Sequence, residues 1–220
     1  MFLHGYLADK RSFNRQIPFF SRDFDVHAID LKGFGENQAM PFPYSLSDYL
    51  LEVKEYIYKF NLKKPSVIAH SFGGRITIKG ASENPELFDK IVLTGAAGLK
   101  PKPSLKKMAK KTVFKALKTF VPKEKLVSFY SPDYQQISPV MKESFKLIVN
   151  EHLDGVISKI KNKTLVINGT NDKETPPYMA KRLYRGIENS ELIFIKGAGH
   201  FCFIDKCAKF NTEVREFLLS

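Results

Sequence analysis

The sequence predicts one α/β domain: a mostly parallel sheet of about six strands, helices on both faces, and a helical insertion late in the chain. Three observations lead there. Short β-branched or apolar runs recur along the chain, each ending in polar or glycine-rich sequence, as strands buried on both faces do. Helical patterns alternate with them, the order that lays parallel strands side by side with crossover helices above and below. At 220 residues, 43% of them hydrophobic, the chain is long enough for one sizeable core and too short for two ordinary domains plus a linker.

Taken in order, a clipped strand over residues 1–3 leads into His4-Gly5-Tyr6, and residues 26–31, 66–69, 91–94, 164–168 and 191–195 read as the other strands. Residues 45–61 place Leu46, Tyr49, Leu50, Val53, Ile57 and Phe60 at three- and four-residue intervals, with the charged residues mostly elsewhere. That is an amphipathic helix, which Ser45 or Ser47 can cap. Helices are also expected after Phe72, from about 177 to 185 and from about 205 to 219. The alternation fails between Thr94 and Lys163, where no convincing strand occurs. There Leu105, Met108, Val113, Ala116, Leu117 and Phe120 fall on one helical stripe among lysines, and Pro122, Pro132 and Pro139 divide shorter helices.

The charge is concentrated in this insertion. Residues 100–127 carry ten lysines against Glu124 alone, a net of +9, which leaves +3 of the total +12 for the other 192 residues. Charge runs usually form a solvated face; an amphipathic basic helix can also make weak contact with an anionic membrane or gather acidic substrates. Nucleic acid is not an expected partner, because no stacking aromatics alternate with the lysines. No apolar run approaches the roughly 20 residues that span a bilayer. The first residues carry neither a basic region nor an apolar stretch of signal-peptide length, so a cytoplasmic location is expected. Cys202 and Cys207 fit no metal-ligand spacing and are expected to be free thiols. Neither a metal nor a cofactor is expected, and oligomeric state is left open.

The chemistry centres on Ser71. Residues 66–74 run from a strand straight into a serine set between small residues, and then into a helical pattern. Such a sharp strand-to-helix turn lifts the hydroxyl to the carboxyl edge of the sheet, with Ala69 standing where glycine is usual. A serine hydroxyl needs a base to remove its proton and a carboxylate to orient that base. Asp172 and His200 follow in the required order, each just past a strand, and such strand ends share one edge of a parallel sheet. Glu174 and Asp154 are the substitute carboxylates. The backbone N–H groups of Tyr6 and Phe72 are the candidate oxyanion donors. His4 and His70 are read as structural, and Cys202 as a buried filler.

These segments resemble the α/β-hydrolase superfamily, most closely its small bacterial serine hydrolases with a helical cap, over nearly the whole chain. The motifs are H-G-Y at 4–6, D-L-K-G-F-G at 30–35, A-H-S-F-G-G at 69–74, G-T-N-D at 169–172 and G-A-G-H at 197–200. The resemblance implies a Ser71-Asp172-His200 triad, a structural turn at Asp30, a core of residues 1–97 and 161–220, and a cap of residues 98–160. It also implies two strands ahead of the His-Gly strand; they are missing here, so a six-stranded variant or a late start is expected. The function implied is a cofactor-free serine hydrolase that cleaves a small carboxylic ester or thioester through an acyl-enzyme. Two alternatives stay open. One is a carbon–carbon bond hydrolase or menaquinone-pathway-like lyase, whose acidic substrate would suit Arg75 and the basic segment. The other is a non-enzymatic, membrane-associated protein.

Overall fold

Six parallel strands form the sheet among the described residues: β1 (Phe2–Leu3), β2 (Ala28–Ile29), β3 (Val67–His70), β4 (Ile91–Thr94), β5 (Thr164–Gly169) and β6 (Ser190–Ile195). Their order is β2-β1-β3-β4-β5-β6. The structure, a computed structural model, describes residues 1–103 and 137–220, so the stripe from Leu105 to Phe120 and most of the lysine-rich segment lie outside the described residues.

Side chains alternate across a strand, and this alternation divides the core in two. Leu3, Ile29, Val67, Ala69, Ile91, Leu93 and Val166 point to one face. They pack there against Tyr49, Leu50 and Val53 of α2 (Leu46–Lys59), Ile76 and Ala81 of α3 (Phe72–Glu83) and Leu183 of α5 (Pro177–Gly186). Phe2, Ile68, Val92, Leu165 and Ile167 point to the other. They meet Phe13, Phe20 of α1 (Ile17–Phe20), Phe203 of α6 (Cys202–Asp205), and Phe210, Val214 and Phe217 of α7 (Cys207–Leu219). The short α1 and the break between α6 and α7 at Lys206 are additions to the elements read from sequence.

Local chemistry sets several boundaries. Ser45 caps α2 in a reciprocal capping box with Asp48, so Ser45 and not Ser47 starts this helix. The expected strand at 26–31 shortens to two residues because its later groups turn elsewhere. The Leu31 N–H donates to His4 Nε2 at 3.0 Å, and the Asp30 carboxylate accepts from the amides of Lys10 and Glu36 at 2.7 and 3.0 Å. Gly35 follows at φ +54, where a Cβ would collide with the Asp30 carboxylate, so the Asp30 turn is structural.

The chain steps to one side from β1 to β2 and to the other from β3 to β4, which opens a crevice between the carboxyl ends of β1 and β3. Between β4 and β5 the described residues hold α4 (Pro139–Asn150) and a short 3-10 turn, Ile157–Lys159, with no strand. Arg75 of α3 donates from Nη1 to the carbonyls of Ile148 and Glu151, both at 2.9 Å, placing a cation where the end of α4 is electronegative. Lys79 adds a 2.6 Å pair with Glu151. The Lys100 amide donates to Asp154 at 2.8 Å, while Arg182 pairs with Asp154 and donates to the Lys100 carbonyl at 2.7 Å. No helix among the described residues is long and apolar enough to cross a membrane.

The two-residue β1 is held by the first turn of α3, which lies flush against it. The Gly73 N–H donates to the His4 carbonyl at 3.0 Å, and a Cβ on Gly73 would collide with the Leu3 carbonyl oxygen. Gly73→Ala is therefore expected to cost about 1–3 kcal/mol, as overpacking against backbone does. Gly155→Ala, with nothing within 4 Å of the new methyl, is expected to stay within about 0.5 kcal/mol of the parent. Urea midpoints of the two variants check both.

Candidate active site

Ser71 joins β3 to α3 with φ 48 and ψ −102, a backbone conformation that costs a non-glycine residue about 1–3 kcal/mol. The surrounding structure holds it there. The Ser71 N–H donates to the Thr94 carbonyl at 3.1 Å and its own carbonyl accepts from Ala97 at 3.0 Å. Space for the turn comes from small neighbours: a Cβ on Gly5 would sit 3.4 Å from Ser71 Cβ, and one on Gly74 2.7 Å from the Ala96 methyl. The Ser71 side chain makes no capping hydrogen bond to α3, so its hydroxyl is not spent on its own helix.

Asp172 and His200 meet at the same edge. Asp172 follows β5, His200 follows β6, and His200 Nδ1 lies 2.9 Å from Asp172 Oδ2. Asp172 is buried, 3% exposed, and accepts widely: Oδ1 takes the amides of Glu174 and Thr175 at 2.9 and 2.8 Å, and Oδ2 also takes the Thr175 hydroxyl at 2.8 Å. Burial by itself would raise its pKa, but the bonds from His200 and from the Thr175 amide and hydroxyl outweigh it and hold the carboxyl below its usual range. With Nδ1–H directed at this carboxylate, His200 Nε2 carries the free lone pair a general base requires. The two substitute carboxylates have other work. Asp154 pairs with Arg182, and Glu174 stands exposed, donating its amide to Asp172.

Tyr6 and Phe72 flank the crevice on the loop after β1 and the first residue of α3. Their rings lie 5.6 Å apart in an aromatic group with Phe34 and Phe145, and the Tyr6 hydroxyl donates to the Met141 carbonyl at 2.9 Å. Helix α4 thus sits against the apolar side of the crevice. His4 is fully buried, bonded to the Gly5 carbonyl through Nδ1 and accepting from Leu31 through Nε2, and burial lowers its pKa. Cys202 is buried beside Thr94, with its thiol pushed up to about 11 by that burial. Arg75 turns away from Ser71 toward the end of α4. No group of three His, Cys, Asp or Glu side chains among the described residues could hold a metal ion.

Thr175, not singled out in the sequence, and His70, read from it as structural, join the site. Thr175 gives Asp172 two donors, and its signal was an Asp three residues before a Thr in a loop closed by Pro176-Pro177, where an Asp side chain bonds backbone amides just ahead of it. The His70 ring lies 4.6 Å from that of His200 at a tilt of 52°, a juxtaposition of distant chain segments that no local pattern announces.

Residues 1–121 match a family model described as alpha/beta hydrolase fold, and residues 148–220 one described as TAP-like protein. The chain is similar to the uncharacterized hydrolase YugF of Bacillus subtilis, 24% identical across 98% of this chain and 88% of that protein. It is also similar to 2-hydroxy-6-oxononadienedioate/2-hydroxy-6-oxononatrienedioate hydrolase 1 of Pseudomonas putida, 26% identical across 94% of this chain and 82% of that one. Among solved structures, the fold is similar to an esterase from Exiguobacterium antarcticum, with a TM-score of 0.78 and 19% identity across 100% of this chain and 91% of the other.

The Asp172 environment sets two expectations. Thr175→Val removes a hydroxyl donor from a buried carboxylate and is expected to cost about 1.5–3 kcal/mol in urea unfolding at pH 7. Because the folded-state pKa of Asp172 lies below the unfolded value of about 3.9, its stabilisation is complete above that pH and is lost as pH falls through the folded pKa. Asp172→Asn is therefore expected to be less stable than the parent at pH 7, with the two curves converging only once the pH has fallen below the ordinary carboxylate pKa of about 3.9.

Proposed function

The chain belongs to the α/β-hydrolase fold family, and from that premise we propose that it is a serine hydrolase of neutral carboxylic esters or thioesters. The observation that carries this reading is the Asp172–His200 pair at 2.9 Å, seated at the sheet edge where Ser71 occupies the strained strand-to-helix turn. His200 Nε2 takes the proton of the Ser71 hydroxyl as Oγ attacks the acyl carbon. Asp172 keeps Nδ1–H in place and stabilises the imidazolium that forms. The developing oxyanion lies between the amides of Tyr6 and Phe72, and collapse expels the alcohol or thiol with the proton from His200. Water, deprotonated by the same His200, then attacks the acyl-enzyme and releases the acid and the free serine.

The preference for a neutral substrate rests on Arg75. That guanidinium would suit an acidic substrate, but it is buried and bonded to the end of α4. The half-buried rings of Tyr6 and Phe145, packed on the buried Phe34 and Phe72, suit an apolar acyl chain instead. A second reading, hydrolysis of a carbon–carbon bond in an acidic diketone, draws on the similarity to the Pseudomonas putida hydrolase, which is named for a 2-hydroxy-6-oxo dicarboxylate.

The test pairs activity with labelling. The parent is expected to react with a fluorophosphonate and to hydrolyse p-nitrophenyl esters, and Ser71→Ala to lose the label and about 10⁴-fold or more in kcat. An unchanged rate in Ser71→Ala would exclude the mechanism. Neutral esters should exceed acidic vinylogous diketones in kcat/KM; the opposite ranking would select the second reading.

A further inference from the structure

We propose that His70 is a positioning residue for the base: its Nε2–H holds the His200 main chain while its ring separates the His200 loop from the Gly5 turn. The inference rests on the serine-hydrolase reading above. His70 is the last residue of β3, next to Ser71, and alternation puts its side chain on the same face as Ile68. It is 1% exposed. Nε2 lies 3.2 Å from the His200 carbonyl oxygen. A carbonyl can only accept, so Nε2 carries the proton and the other ring nitrogen, Nδ1, is a bare acceptor.

That acceptor is buried without a hydrogen-bond partner among the described residues. Leaving a buried polar atom unpaired is unfavourable, and a phenylalanine of similar volume would avoid it. What an imidazole provides there and a phenyl ring does not is the Nε2–H bond to His200. The rest of the ring is tightly bounded. Its centroid lies 4.6 Å from that of the His200 ring and 4.8 Å from that of Phe201, both tilted, and Phe203 meets it edge-on at 5.0 Å. On the opposite side a Cβ at Gly5 would lie 2.8 Å from Nδ1. His70 therefore touches the loop that carries Tyr6 and the loop that carries His200.

The mechanical consequence follows from where His200 is held. Its side chain is fixed at Nδ1 by Asp172 and its main chain at the carbonyl by His70. Two anchors, one on each part of the residue, determine the direction in which Nε2 points. Burial and the nearby His200 hold the His70 pKa down at about 3, with Asp172 and His4 the other titratable groups facing it. A neutral His70 adds no opposing charge when the neighbouring His200 becomes an imidazolium.

Two variants separate positioning from space-filling. His70→Gln keeps an N–H donor at about the reach of Nε2 but loses the ring; His70→Phe keeps the ring but loses the donor. Positioning predicts that His70→Phe lowers kcat for p-nitrophenyl esters by about 10- to 100-fold with KM changed less than about threefold, and that His70→Gln recovers most of the loss. Equal rates, or a slower His70→Gln, would overturn it. Selective ¹⁵N-histidine NMR of the parent decides the matter even where a variant does not fold. The expected ring is the Nε2–H tautomer, unchanged from pH 5 to 9, and an Nδ1–H tautomer or a titration in that window would refute the assignment. A parent that resists fluorophosphonate labelling would remove the serine-hydrolase reading itself. A parent that labels no faster than His70→Phe would remove only the role of His70.

Discussion

The turn at Ser71 is the constraint around which the neighbouring sequence is arranged. An L-residue at φ 48 is held there only by its surroundings, and here two backbone hydrogen bonds, to Thr94 and from Ala97, supply the hold. The same turn brings α3 so close to β1 that position 73 has no room for a methyl group, and brings Gly5 and Gly74 against their neighbours. Relaxing any of these contacts would let the serine hydroxyl drift from the crevice at the topological switch point. The glycines here thus serve geometry and stability together.

The acid end of the site follows a different logic. Asp172 is removed from water and would be costly as a charge without compensation. Four donors meet it: two amides, one hydroxyl and the imidazole of His200. They keep it ionised, and an ionised carboxylate is what fixes the orientation of His200. Thr175 thereby links the stretch before α5 to His200 on another loop. The Asn168 side-chain amide, bonded to the carbonyls of Gly169 and Thr175, stiffens the same segment from below.

Helix α4 illustrates how a charge can serve architecture in place of ligand binding. Arg75 and Lys79, both on α3, reach the C-terminal end of α4, while Arg182 and Asp154 hold the chain near Lys100. From the crevice side, the Tyr6 hydroxyl and the Tyr44 amide reach α4 at Met141 and Ser144. Helix α4 is therefore fastened to α3, which follows Ser71, and to the loop that carries Tyr6, and it packs against the apolar group beside them.

Much of this fold was legible because its determinants are local. Strand runs, the α2 stripe with its Ser45-Asp48 cap, the small residues flanking Ser71 and the order of serine, acid and histidine are all patterns within short stretches of chain, set by side-chain period and turn sterics. The sequence by itself determined which residue types stand at the ends of the strands. Tertiary structure decided what they do with one another. Arg75 reads from sequence either as a cation that would suit an acidic substrate or as a helix-surface residue, and only the approach of α4 makes it an anchor. Thr175 becomes a donor to Asp172 through a local turn, but its relevance depends on His200 arriving from β6. His70 becomes a support for the base only because β3 and the loop after β6 meet at one sheet edge. Hydrogen bonds between segments 25 to 130 residues apart leave no periodic trace in the sequence, since their geometry exists only after the sheet has assembled.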